Sequence, residues 1–280
     1  MIGHRNKNCR YKPIIVVLVT ALALVLARPS ECPAAQKLVI PGTGDSQELF
    51  VALARAFERE HPGVVVEIPP SIDSGGGIRA TAGGECLIGR VARSPKPREE
   101  RYRLTYRPIA RTPVVIAVNP SVTGVRSLSS TQLVGIFSGE ITNWKDLGGQ
   151  DAKVYVVQRE SGDSARKVME DKLEGFKAIE HLEGYIAYSA DEALKAISEH
   201  KDTIGYVARS GAEEYKLSVI SVDNVSPTIE NIKSDSYPFA STIGFVWKGK
   251  LSGLAKSFID FCFSPKGAET LIRRGAVPLF

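Results

Sequence analysis

Residues 37–68, KLVIPGTGDSQELFVALARAFEREHPGVVVEI, hold the stretch whose reading decides the fold. Leu38-Val39-Ile40 is a short apolar run that ends at Pro41 and Gly42, the pattern of a buried strand. Leu49, Phe50, Leu53, Ala54 and Phe57 then recur at three- to four-residue spacing, which puts them on one face of a helix. Pro62-Gly63 stops that helix, and Val64 to Ile68 reads as a second strand. Strand, helix and strand at this spacing make a βαβ unit, so the two strands lie parallel with the helix packed across them.

The same grammar recurs further along. TPVVIAVN (112–119) and AKVYVVQ (152–158) read as strands, and SADEALKAISEHK (189–201) as a helix. LAKSFIDFCFSPKGAETLIRR (254–274) is helical with a break at Pro265, which cannot continue a helix from before it. The fold class is therefore α/β. With 280 residues, 43% hydrophobic and 24% charged, the chain can fill one large core or two lobes of ordinary domain size.

The first 35 residues are of a different kind. Arg5, Lys7, Arg10 and Lys12 precede Ile14 to Leu26, an uncharged run too short to span a bilayer comfortably but suited to the core of a signal peptide. Residues 1–35 are expected to be that leader, with Ala34 and Ala35 in the cleavage region and an uncleaved anchor as the alternative. Export places the protein in the periplasm or outside the cytoplasm. Pro29-Ser30-Glu31 ahead of Cys32 does not resemble a lipoprotein signal.

Without the leader the chain carries 31 bases against 30 acids, so the net charge drops from +5 to +1. A nucleic-acid partner, which would want a dense basic face, is not expected. One basic run survives, RSPKPREERYRLTYR (93–107), read as a solvated loop, with a contact to anionic lipid or a membrane partner as the sharper alternative. Cys86 and Cys262 are the two cysteines inside the expected fold; they make no metal site and are read as separate buried thiols.

Two Gly-Asp-Ser turns draw the eye next. Gly44-Asp45-Ser46 follows strand LVI and opens a helix; Gly162-Asp163-Ser164 follows VYVVQ and opens another. In α/β sheets ligands collect beyond the carboxyl ends of strands. A helix N-terminus there offers N–H groups and about half a positive charge to an anion. Asp73-Ser74-Gly75-Gly76-Gly77 is a third such place, read as preceding a helix. The plainer reading makes Asp and Ser mere N-caps. Three such turns, one flanked by Arg159 and Arg166, favour an oxyanion site.

A strand followed by Gly-Asp-Ser also resembles the nucleophile block of GDS-type serine hydrolases, whose base comes from an Asp-x-x-His. The residues three before His61, His181 and His200 are Glu58, Ala178 and Ile197, so that partner is missing. Gly-x-Ser-x-Gly, His-Glu-x-x-His and the nucleotide-binding Gly-x-x-x-x-Gly-Lys loop are missing too. No enzyme, cofactor or metal is expected, and binding leads.

LVGIFSGEITNWKDLGG (133–149) resembles the signature of the phosphate-binding proteins of bacterial phosphate ABC importers, a branch of the type II periplasmic binding proteins. HPGVVVEI, SGGGI, PVVIAVNP, DTIGYV, YPF and FIDFCFSPKGAETLIRRGAVPL follow that family's order over most of residues 37–280. The resemblance implies two α/β lobes, each a mixed or parallel sheet flanked by helices, joined by two crossover strands: 37–113 plus 241–280 as lobe one and 114–240 as lobe two. It sets the two Gly-Asp-Ser turns on opposite jaws of one cleft, and Trp144 and Phe137 as apolar anchors rather than ligands.

Carried over by position, the family's first binding loop falls on Gly42-Thr43-Gly44-Asp45-Ser46, with Thr43, Gly44, Asp45 and Ser46 as its ligand residues, and its second on Ser74-Gly75-Gly76-Gly77, with Ser74 and Gly75. The third falls on LIGRVAR, where Leu87 stands for the family's acid, Ala92 for its serine, and Arg93 keeps the arginine. The fourth falls on RESGDSA: Arg159 and Gly162 match, whereas Asp163, Ser164 and Ala165 depart from Ser, Gly and Thr. Arg159 leads the set because a guanidinium can grip two anion oxygens at once, and Arg166 is read as a surface charge. Phosphate at neutral pH keeps a proton that sulfate lacks, so a site carboxylate, Asp163 first and Asp45 second, would discriminate between them. The implied protein is a monomer that hands phosphate or a related oxyanion to an ABC permease; an anion sensor or scaffold of the same fold is the alternative.

Overall fold

A computed structural model of the protein describes residues 1–3 and 36–280. The leader expectation, Cys9 and Cys32 lie outside the described residues.

Strand β1 (Gln36–Val39), helix α1 (Gln47–Glu60) and strand β2 (Val64–Glu67) form the expected unit, with β1 and β2 parallel. The helix buries Leu49, Phe50, Leu53, Ala54 and Phe57, the face its spacing marks out. Phe57 stacks on His61 and meets Phe258 and Phe261 edge-on, each at a centroid distance of 5.4 Å. Helix α2 (Asp73–Gly83) and strand β3 (Ile88–Val91) follow.

The glycine run does not precede α2; it lies inside its first turns. A Cβ on Gly77 would stand 2.8 Å from the Cα of Gly42. Close approach of the helix to the first loop therefore overrides the poor helix propensity of glycine.

The larger sheet is organised by one long strand, β4 (Leu104–Val118), which begins eight residues before the expected TPVVIAVN segment. Its first part pairs antiparallel with β10 (Ala240–Lys248), through Ala240 opposite Pro113. From Val114 onward it pairs antiparallel with β8 (Thr203–Ala208), and Ile116 to Val118 also pair with β9 (Ser218–Val222). β4 is thus shared by two halves of the molecule. Val114 N–H donates to Phe239 O at 2.9 Å, so the chain crosses at neighbouring points in both directions. Beyond β8 come β6 (Tyr155–Arg159) and β7 (Tyr185–Ala187), both running parallel.

Hydrophobic burial follows the same division. One core gathers Leu38, Ile40, Leu49, Phe50, Phe57, Ile109, Phe245, Phe258 and Leu271. Another gathers Val114, Ile116, Val118, Leu133, Phe137, Trp144, Phe176 and Tyr206. The alternate residues Val115 and Ala117 point to a third, with Leu194 and Ile197 of helix α5 (Ala190–Glu199). In this half β4 is buried on both faces, which is why VVIAV reads as a continuous apolar run. Phe137, Phe176 and Tyr206 meet edge-to-face, and the Trp144 indole donates to Asp202 O at 2.9 Å; both expected anchors stand in this core.

The remaining elements include β5 (Ser127–Leu128), α3 (Ser130–Phe137), α4 (Ser164–Lys172), α6 (Arg209–Glu214), α7 (Ile229–Lys233), α8 (Gly253–Cys262) and α9 (Pro265–Arg273). Pro265 stands at the first position of α9 behind the Ser264 cap, a site where a missing N–H costs nothing. Cys262 is buried, but Cys86 is only half-buried, and both are free thiols. Cys86 follows the left-handed Gly84 that ends α2, near the surface rather than in the core. The basic run 93–107 is a 3-10 turn, Pro97–Tyr102, leading into β4. Its Glu99 is buried and grips Arg93 through both carboxylate oxygens, at 2.7 and 2.9 Å.

Candidate functional site

Both Gly-Asp-Ser turns lie where a strand gives way to a helix, and the fold brings them together. Gly44-Asp45-Ser46 links β1 to α1, and Gly162-Asp163-Ser164 links β6 to α4. Arg159, the last residue of β6, reaches toward Asp45 across the gap, with Nη1 3.9 Å from Oδ1. The jaws touch nearby: a Cβ on Gly44 would stand 3.3 Å from Cβ of Ala190 at the start of α5. Helix α1 also lies against α6. This is a closed cleft.

The two turns are built differently. Asp163 caps α4 by accepting from Arg166 N–H at 3.0 Å, and its other oxygen accepts from Arg159 Nη2 at 2.6 Å. Both of its oxygens are therefore engaged. Arg166 is more than a surface charge, because its Nη1 donates to Arg159 O at 3.1 Å while Nε holds Glu170. Tyr206, which sequence reasoning did not single out, accepts the backbone N–H of Arg159 at 3.1 Å. Arg159 is thus fixed along its backbone and at one end of its guanidinium.

Its other donors make no hydrogen bond, although Nη1 stands within ion-pair distance of Asp45. Nε and Nη1 of Arg159 are buried without a hydrogen-bond partner, and so are both carboxylate oxygens of Asp45. Each residue is only 3% exposed. Buried polar groups normally find partners, and leaving one unpaired costs roughly 1–3 kcal/mol. Four such atoms on two facing side chains mark a place shaped for something that both donates and accepts hydrogen bonds.

Burial, reinforced by the negative charge of Asp163, pushes the Asp45 carboxyl up to about 7, against the opposing pull of Arg159 and Ser164. The Asp163 carboxyl is raised as well, by burial, although Arg159 and the α4 N-terminus hold it back. Asp73, which has a left-handed backbone (φ 59°), adds its negative charge to both. No local pattern signals that, since Asp73 reads as an ordinary helix start.

Around the first turn, Asp45 N–H donates to Thr43 Oγ1 at 3.1 Å and Ser46 Oγ donates to Thr112 Oγ1 at 3.3 Å. Among the described residues, the N–H groups of Gly44 and Ser46 have no protein acceptor. Gly42 has a φ of 143°, and a Cβ there would lie 1.9 Å from Arg90 O. Gly42→Ala is therefore expected to lower stability by on the order of 3 kcal/mol, read as a drop in thermal midpoint, because the loop must move before a side chain fits.

The second and third carried-over blocks lie to one side. Ser74 is buried with its Oγ accepting Ala92 N–H at 3.0 Å, and Gly75 sits in the first turn of α2 facing the Arg93 guanidinium. Arg93 itself is held by Glu99. Leu87 is 63% exposed at the outer end of β3, so the position where the family's acid was expected does not reach Asp45 or Arg159. Gly162 has a left-handed φ of 91° and open space around it, which makes the turn rather than a contact. A cavity of about 1030 Å³ is lined by Tyr155, Tyr185, Glu192 and Lys195, but none of the residues named above for the site lines it.

Among the described residues, no histidine serves the two Gly-Asp-Ser turns as the base of a GDS-type hydrolase would. His61 Nδ1 bonds Phe57 O at the far end of α1, and His181 and His200 are exposed.

A family model described as "PBP superfamily domain" matches residues 27–266. The phosphate-binding protein PstS of Bacillus subtilis is 30% identical over 250 residues, covering 88% of this chain and 82% of that protein. A crystal structure from Clostridium perfringens, described as a phosphate ABC transporter substrate-binding protein with bound phosphate, is 30% identical with a TM-score of 0.76. It covers 88% of this chain and all of that one. An ABC-type phosphate transport receptor from Vibrio cholerae, 22% identical, shares the fold with a TM-score of 0.61 over 86% of this chain and 99% of that one.

Proposed function

Since the chain belongs to the PstS-type phosphate-binding proteins of the PBP superfamily, we propose that it captures inorganic phosphate between its lobes and delivers it to an ABC permease. The observation that carries this reading is the pair of facing, unpartnered sets in the closed cleft. Arg159 offers Nε and Nη1, and Asp45 offers two oxygens. Phosphate has oxygens for the first and, at neutral pH, at least one proton for the second. Sulfate has no proton to give and would be set against a carboxylate.

The discriminating acid is then Asp45 rather than Asp163, whose oxygens already serve Arg159 and the start of α4. In this reading Thr43, Gly44, Ser46 and Ser164 complete the cradle, with the N–H groups of Gly44 and Ser46 aimed at the anion. Ser74 and Gly75 shape its wall, and Gly162 and Asp163 hold Arg159 in place. Arg93 contributes only if it leaves Glu99. Lobe one is residues 37–113 plus 241–280 and lobe two is 114–240. The protein acts as a monomer outside the cytoplasm after export by residues 1–35, with no nucleic-acid partner. Opening admits the anion, closure buries it, and the closed form docks on the permease.

Calorimetric titration of the purified protein, stripped of carried-over anion, tests this. Phosphate is expected to bind tightly and sulfate to give no response. Absence of a phosphate response would overturn the reading.

A further inference from the structure

Arg90 is the unusual charge of the structure. It is fully buried in β3, at 0% exposure, and among the described residues no carboxylate bonds it. Its partners are neutral: Nε donates to Thr43 O at 2.7 Å, Nη1 to Ile40 O, and Nη2 to Pro69 O at 2.7 Å and Gln47 Oε1 at 3.1 Å. Burial lowers its pKa to about 10, which still leaves the guanidinium charged at neutral pH.

The consequence is clear when the carbonyls of the first loop are followed in order. Ile40 O accepts from Arg90 Nη1, Pro41 O from the Arg90 backbone N–H, and Gly42 O from Ile72 N–H. Thr43 O accepts from Arg90 Nε and Gly44 O from Gln47 N–H. Five consecutive carbonyls are thus turned onto protein donors, and Arg90 supplies three of those donors. With these five carbonyls drawn inward, the N–H groups of Gly42, Gly44 and Ser46 are left without a protein acceptor among the described residues. The same guanidinium ties the first loop to the start of α1 through Gln47 and to the segment after β2 through Pro69.

We infer that Arg90 is the positioning residue of the anion site: its guanidinium draws the carbonyls of Ile40 and Thr43 away from the cleft and so presents the loop's N–H groups to the ligand. It acts through those carbonyls, to which Nε and Nη1 donate directly. Preorganised donors need no rearrangement when the anion arrives, and affinity is gained by having them fixed beforehand. Lysine cannot replace the fork, because an ammonium offers three donors at one point whereas the four acceptors surround a planar group.

The test compares wild type, Arg90→Lys and Gln47→Leu by phosphate calorimetry, by circular dichroism, and by amide hydrogen exchange resolved over residues 42–47. Arg90→Lys is expected to remain folded, to lose at least tenfold in phosphate affinity, and to exchange faster at residues 42–47 while β4 and β8 keep their protection. Affinity within twofold of wild type with unchanged local exchange would overturn the inference, as would a uniform rise in exchange over the whole chain. Should Arg90→Lys fail to fold, Gln47→Leu decides, since it removes one acceptor and keeps the cation. Faster exchange confined to 42–47 supports positioning, and unchanged exchange opposes it. Only the affinity arm rests on the phosphate reading; if wild type ignores phosphate, that reading fails and the exchange arm, which needs no ligand, still decides.

Discussion

Arg159→Met is expected to weaken phosphate binding by several orders of magnitude at neutral pH. The variant loses the two donors that make no hydrogen bond, Nε and Nη1, each of which would make a charge-assisted bond to the anion. Such bonds contribute about 1.5–3 kcal/mol apiece, so the pair accounts for a loss of about 10²- to 10⁴-fold. Removal of the cation also leaves Asp45 and Asp163 facing the anion without compensation, which moves the result toward the upper end. Arg159→Lys keeps a charge but not the fork, and falls between. The fold survives, because both acids already have raised pKa values and can take up protons once the cation is gone. The variant's stability deficit should therefore be smaller at pH 5 than at pH 8. Calorimetry with phosphate and thermal melts at the two pH values check this, and an Arg159→Met protein that binds within tenfold of wild type would remove Arg159 from the site.

Much of this arrangement is legible in the chain, and the exceptions have physical causes. Periodicity finds α1 and its buried face because Leu49, Phe50, Leu53 and Phe57 each cover the same core. The two Gly-Asp-Ser turns can be seen because strand-to-helix junctions leave N–H groups that need small or capping residues. What the pattern does not separate is the work of the two aspartates. Both look like N-caps, yet only Asp163 caps through its side chain, whereas Ser46 in the left-handed region (φ 58°) precedes α1 and leaves Asp45 free to turn inward. That difference is set by contacts between residues more than a hundred positions apart, such as Asp45 with Arg159.

Leu87 and Arg90 teach the opposite lesson. Correspondence by position put weight on Leu87, which the structure leaves at the surface, and passed over Arg90, three residues on. A buried arginine with neutral partners has no local signal, since its acceptors are main-chain carbonyls that every sequence supplies. The length of β4 was hidden for a related reason. Residues Leu104 to Arg107 alternate between half-buried and exposed on one lobe before the strand enters the other, so one strand carries two burial patterns.

Asp45 ties stability and binding to pH, and the sign of each effect follows from its raised carboxyl. With a native pKa near 7 against an ordinary value of 3.8, the ligand-free protein holds a proton on Asp45 that the unfolded chain has released. The stabilising contribution is whole below about pH 4 and is lost as pH rises toward and through 7. One such group gives a slope of about 1.4 kcal/mol per pH unit, up to about 4 kcal/mol across the window. Asp163, also raised, acts in the same direction. The ligand-free thermal midpoint should therefore fall between pH 5 and pH 8, and Asp45→Asn, which does not titrate, should flatten much of the fall. Binding follows the same proton. Arg159 and Asp163 cancel, so an ionised Asp45 beside a doubly charged phosphate is uncompensated, and the complex must take up one proton beyond the one the phosphate already carries, two in all between ligand and carboxyl. Above pH 7 phosphate affinity then weakens by up to about tenfold per unit, with proton uptake visible when calorimetry is repeated in buffers of different ionisation enthalpy. In Asp45→Asn the uptake disappears and sulfate begins to compete, because nothing in the cleft demands a proton from the ligand. A wild-type affinity unchanged from pH 6 to 9, with no proton exchanged, would show that Asp45 does not face the anion.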